Sequence, residues 1–192
     1  MKKSRKSVQA QRTVYTFAYL RSISWACLKR AKEEHKGSYN FIAASMTFTA
    51  FSVEAYLNHL GNHVTNFWET IERKLSPPEK LDTLASFLEI DLDFGSRPFQ
   101  TFHRMFTLRN SLAHGRTEKL TVNSIQVLAE DEIPHMPSTS WEEEISIDNA
   151  TRYLEDSKAM ILTLNAKAGI EDYLLWVPEE ADWNASIVED DT

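Results

Sequence analysis

Apolar residues recur along much of this chain at the three-to-four residue spacing of helices. Phe17, Leu20, Ser24, Cys27, Leu28 and Ala31 fall at that spacing within a stretch free of Pro and Gly, which predicts a long first helix from Ser7 to about Lys36, stopped by Gly37. From about Asn40 to Val64 two stripes run side by side. Phe41, Ala44, Phe48, Phe51 and Ala55 form one, and Met46, Ala50, Val53, Leu57 and Leu60 form the other. A helix apolar on two sides belongs at the centre of a bundle.

A shorter helix or a continuation past Gly61 is expected over Thr65 to Leu75. Ser76-Pro77 then supplies an N-cap and a first-turn proline for a helix through Leu81, Leu84 and Leu88. After a loop from Asp91 to Pro98, Phe99, Phe102, Met105, Phe106, Leu108 and Leu112 predict the next helix, with Gly115 placed to take a left-handed terminal conformation. Leu120-Thr121-Val122 and Ile125-Gln126-Val127 have β-like composition, and Pro134 and Pro137 exclude a helix, so two short strands fit an excursion over 117–145. A last amphipathic helix from about Asp148 to Lys167 ends at Gly169. The expected fold is an all-α antiparallel bundle with a small irregular or β-hairpin insertion before the last long helix. A flexible basic N-terminus over residues 1–6, one helical domain over 7–175 and an acidic tail over 176–192 complete the expectation, with Trp176 and Trp183 available to dock on the body.

Composition agrees with this picture. A chain of 192 residues suits one domain, and only 5 Gly, against about thirteen at average usage, favours helices over a turn-rich β fold. The single cysteine, Cys27, excludes an internal disulfide and a Cys-based metal site and suits a reducing, cytoplasmic setting. Neither a cleavable leader nor an apolar run long enough for a membrane span is found.

The net charge is −7, but residues 97–119 carry Arg97, Arg104, Arg109, Arg116 and Lys119 against Glu118 alone, a local +4. Within them lies Arg109-Asn110-Ser111-Leu112-Ala113-His114-Gly115. Arginine can hold a phosphate in a bidentate fork and histidine can move protons near pH 7, which suits RNA cleavage without metal or cofactor. Asn110 and His114, four apart, share a helix face, whereas Arg109 and His114 are about 140° apart around the axis. Two copies of the helix end meeting across a twofold would bring the groups together. The same residues also suit a helix C-terminus decorated with cations that complement its dipole.

Glu54 interrupts the second helix between Val53 and Ala55, and Arg109 is a fitting partner that it could position; an ion pair that merely orders the bundle, or a partly exposed glutamate, fits the same pattern. His59 and His63 have helical metal-ligand spacing but no third ligand, so no metal site is expected. His103 and Arg104 suit a basic groove or a solvated face.

The run RNSLAHG resembles the R-x(4-6)-H signature of the HEPN superfamily, with a polar residue after the arginine and glycine after the histidine. FSVEAYLNHL, PEKLDTLASFL and FQTFHRMFTLRNSLAHG resemble stretches of abortive-infection HEPN proteins, so the likeness covers roughly residues 38–116. It implies a homodimeric helical bundle and a metal-independent endoribonuclease of toxin-antitoxin or other defence systems, giving 2′,3′-cyclic phosphate ends. Arg109, Asn110 and His114 would be catalytic, Arg104, Arg116 and Lys119 would contact RNA, and Glu54 would support Arg109. An antitoxin or other protein partner is also implied. The alternative is a catalytically silent module that binds RNA, nucleotide or protein. In one subgroup a tyrosine two positions after the histidine is modified by a partner enzyme; Arg116 stands there in this chain.

Overall fold

The computed structural model describes residues 6–129 and 133–187. The basic segment 1–5 and tail residues Glu189, Asp190 and Asp191 lie outside the described residues. Among the described residues the order is β1 (Lys6–Val14), α1 (Thr16–Glu33), α2 (Ser38–Val64), α3 (Trp68–Ile71), α4 (Pro77–Phe87), α5 (Phe99–Ala113), α6 (Ser140–Glu144), α7 (Ile147–Ala168), a 3-10 turn (Asp172–Leu175) and β2 (Glu179–Ile187). The chain is mainly helical, and no described helix is long and apolar enough to cross a membrane.

α2 is the axis of the bundle, packing on α1, α3, α4, α5 and α7. Of its two apolar stripes, the one with Met46, Ala50, Val53, Leu57 and Leu60 is buried, while Phe51 on the other is exposed. Small polar residues set its contact with α1. Ser24 Oγ lies 2.6 Å from Thr49 Oγ1 and donates to the Ser45 carbonyl at 2.8 Å, and Ser52 Oγ donates to the Phe17 carbonyl at 2.7 Å. Short side chains with nearby acceptors let the two helices approach without stranding a hydroxyl. At the far end, a Cβ on Gly61 would lie 2.1 Å from the buried Trp68 ring, so α3 folds against α2 only over a glycine.

The predicted stop and start signals operate. The Glu79 carboxylate accepts from the Ser76 backbone N–H at 2.7 Å and from its hydroxyl at 2.6 Å, and Pro77 opens α4. Gly169 ends α7 with φ +69°.

Three expectations are corrected. Residues 7–14 do not extend the first helix: Val8, Ala10 and Val14 alternate with polar residues, and this period-two stretch forms β1. Its partner is the acidic tail, in antiparallel register from Lys6↔Ile187 to Val14↔Glu179. The Arg12–Glu179 ion pair and a hydrogen bond from Tyr15 Oη to Glu180 at 3.0 Å anchor the ribbon. The strands expected at 120–127 do not form. Ile125 is 100% and Val127 98% exposed, so these side chains have no surface to pack on, and the described part of the excursion before α6 is irregular. Gly115 has no left-handed backbone; its Cβ would approach the Ser111 carbonyl oxygen to 3.0 Å, so close contact is what favours glycine there.

Candidate functional site

The C-terminal half of α5 is amphipathic. Phe102, Met105, Phe106 and Leu108 enter the core, which puts Arg109 at the border of the buried face next to α2. Its Nη2 forms an ion pair with Glu54, its Nη1 donates to Asn110 Oδ1 at 2.9 Å, and the guanidinium lies 5.6 Å from the Phe106 ring centre and 5.9 Å from that of Phe51. These contacts fix the plane of the guanidinium. Arg109 Nε, in contrast, is buried without a partner.

Glu54 bridges two cations. Its other oxygen accepts from Lys80 Nζ of α4 at 3.4 Å. The Lys80 side chain is only 5% exposed, against 17% for Arg109 and 26% for Glu54. One carboxylate thus neutralises one of two desolvated cations, and the cluster retains a net positive charge where α2, α4 and α5 meet. Lys80 is absent from the sequence-derived candidates, although it stands four residues before the buried Leu84 and so on α4's inner face. Asn58, one turn beyond Glu54, has a buried Oδ1 with no partner.

His114 takes the C-cap position of α5. Its backbone N–H donates to the Asn110 carbonyl at 2.9 Å, and its exposed imidazole makes no hydrogen bond or ion pair among the described residues. The fold therefore brings Glu54, Arg109 and Asn110 into direct contact and leaves His114 at the surface, with no bond between imidazole and guanidinium.

The other basic residues divide. Arg97 holds the buried Asp156, with Nε 2.9 Å from both carboxylate oxygens, and Thr101 donates to the same group. Arg104 donates to Glu144 at 2.8 Å and to Asn149 at 3.2 Å; Glu144 also accepts from the buried Tyr153 hydroxyl at 2.9 Å. The Glu144 contact raises the Arg104 pKa and burial raises that of Tyr153, so both stay protonated. With His103, Thr107, Ser111 and Trp141, Arg104 lines a groove of about 240 Å³. Arg116 and Lys119 are exposed and make no ion pair among the described residues. Three of the four arginines behind the local +4 are thus met by carboxylates of α2, α6 and α7, and the unpaired charge in this segment lies past the end of α5.

His59 is not arranged as a ligand. Its ring sits 5.0 Å from Phe17 and 5.8 Å from Tyr15 between centres, and desolvation, with His63 contributing, lowers its pKa. No group of three or more His, Cys, Asp or Glu that could hold a metal occurs among the described residues. The chain matches no family model, no curated protein and no solved structure.

Proposed function

We propose that this chain is a HEPN-type metal-independent endoribonuclease of a toxin-antitoxin or defence system, acting as a homodimer whose two α5 ends form one cleft. The observation that carries this reading is the arrangement of Arg109. Glu54, Asn110 and two phenylalanines hold its guanidinium in one orientation, and five residues on, at the C-cap of the same helix, stands the exposed imidazole of His114. Phe51, exposed beside Arg109, supplies apolar surface for a second copy.

In the cleft, one His114 imidazole takes the proton from a ribose 2′-OH. The freed oxygen attacks the adjacent phosphorus, the bond to the 5′ oxygen breaks, and the same imidazole, now protonated, returns the proton to the departing oxygen. Arg109 stabilises the charge on the non-bridging phosphoryl oxygens, and Asn110 orients the arginine. The products are a 2′,3′-cyclic phosphate and a 5′-hydroxyl. The test is cleavage of RNA by purified protein in excess chelator with those ends, lost in His114→Ala. Activity that requires a divalent metal, or that survives His114→Ala, overturns the mechanism.

A second reading, a catalytically silent module that binds RNA, nucleotide or a protein partner, draws support from the pairing of Arg97, Arg104 and Arg109 with carboxylates. Such pairing reduces the field that a polyanion would meet. RNA binding without cleavage, unchanged in His114→Ala, selects it.

A further inference from the structure

A second surface shares no lining residue with the α5 motif. Along the seam where α1 meets α7 and the 3-10 turn, α1 presents Arg21, Trp25, Leu28 and Lys32, and α7 presents Leu154 and Lys158. The seam opens into two adjoining hollows. One of about 290 Å³ lies between α1 and Trp176, the other of about 260 Å³ lies between α1 and α7, and Arg21 and Trp25 line both.

Two cations converge there, and the one carboxylate among the residues lining the two hollows is Glu155. Arg21 Cζ is 5.1 Å and Lys158 Nζ 5.0 Å from the Trp176 ring centre, which places the two charges within about 10 Å of each other, near the screening length at 0.1 M salt. Neither forms an ion pair among the described residues; Arg21 donates only to the Leu154 carbonyl and Ser157 Oγ, both at 3.4 Å. Burial without a compensating charge lowers the Arg21 pKa. The nearby carboxylates face other bases, Glu155 toward Arg97 at 3.3 Å and Glu33 toward Lys29 at 3.9 Å. Two like charges gathered on one indole, neither with an ion-pair partner among the described residues, favour an anion beside them. Beside them Trp25 is 59% exposed and offers a flat apolar face, with Lys29 Nζ 5.6 Å from its ring centre.

We propose that this seam is a binding site for single-stranded RNA, with a backbone phosphate held by Arg21 and Lys158 and an unpaired base stacked on Trp25. A cationic track beside an exposed aromatic ring is the arrangement by which single strands are held. A duplex, whose bases are already stacked, cannot use Trp25. The proposal goes beyond the cleavage reading and stands whether or not the α5 motif is active.

The test uses the full chain and a fluorescent 2′-O-methylated single-stranded 12-mer, which 2′-OH attack cannot cleave, so that anisotropy reads binding alone. Trp25→Ala weakens binding about fivefold or more, and Trp25→Phe retains most of it. Arg21→Met and Lys158→Met each lower the slope of log affinity against log salt by about 0.7. Thermal melts verify that the variants fold. Unchanged affinity in Trp25→Ala overturns the proposal, as does equal binding of the matching duplex. Binding of adenosine or uridine monophosphate without binding of the strand overturns it too, because the site then belongs to a free nucleotide.

Discussion

Replacing Glu54 by glutamine keeps the side chain's shape and removes the one negative charge between Arg109 and Lys80. Lys80, 5% exposed, and Arg109, 17% exposed, then face each other as unpaired cations. Breaking a buried ion pair costs about 3–5 kcal/mol; Glu54 is 26% exposed and the amide can still accept one hydrogen bond, so the loss works out at about 2–3 kcal/mol. With an unfolding entropy of roughly 2.1 cal/mol/K per residue, a chain of 192 residues loses about 5–8 °C in Tm. Urea and thermal unfolding at pH 7 measure this directly. Adding Lys80→Met to Glu54→Gln recovers about 1 kcal/mol or more, because it removes the most deeply buried bare cation. A Glu54→Gln variant within about 0.5 kcal/mol of wild type, or no recovery in the double variant, refutes the idea that Glu54 holds two desolvated cations.

Gly61→Ala drives a methyl group into the Trp68 ring; overpacking outweighs the helix-propensity gain of about 1 kcal/mol, and urea unfolding shows a net loss of about 2 kcal/mol, partly restored by Trp68→Leu. A stabilised Gly61→Ala chain contradicts that packing. For His59 the folded pKa lies below its unfolded value near 6.5, so the unfolded chain gains the proton first. Its share of stability falls as pH drops below about 6.5 and levels off once pH passes the folded pKa. His59→Phe therefore narrows the gap in Tm between pH 7.5 and pH 5, and an unchanged gap disproves the assignment.

Much of the helical framework was legible. The double stripe of α2, the Ser76-Pro77 entry to α4, the phenylalanine spacing of α5 and the Gly169 stop of α7 are local signals, and each has its expected effect. What escaped depends on contacts far apart in the chain. Alternation at Val8, Ala10 and Val14 is present in the sequence, but β1 requires Glu179–Ile187 as its partner, and no local pattern announces that pairing. The β-branched residues near Ile125 failed for the complementary reason, since they met no second strand. Charge was the most misleading local quantity. Residues 97–119 sum to a basic segment, yet Arg97, Arg104 and Arg109 meet Asp156, Glu144 and Glu54 across the bundle. Within the α5 site the pairing of Arg109 with Glu54 fits a carboxylate set into an apolar helix, whereas Lys80 escaped because lysines are seldom buried, although its spacing from Leu84 sets it on the inner face of α4.

Subunit mixing tests most directly whether α5 carries half of the proposed composite ribonuclease site. Arg109→Ala and His114→Ala chains are each inactive alone. Refolded together, a mixed dimer holds one intact arginine-histidine pair across the twofold, so RNA cleavage in chelator returns to about half the wild-type rate per mixed dimer. A mixture as inactive as its two components, beside an active wild-type chain, contradicts the composite site.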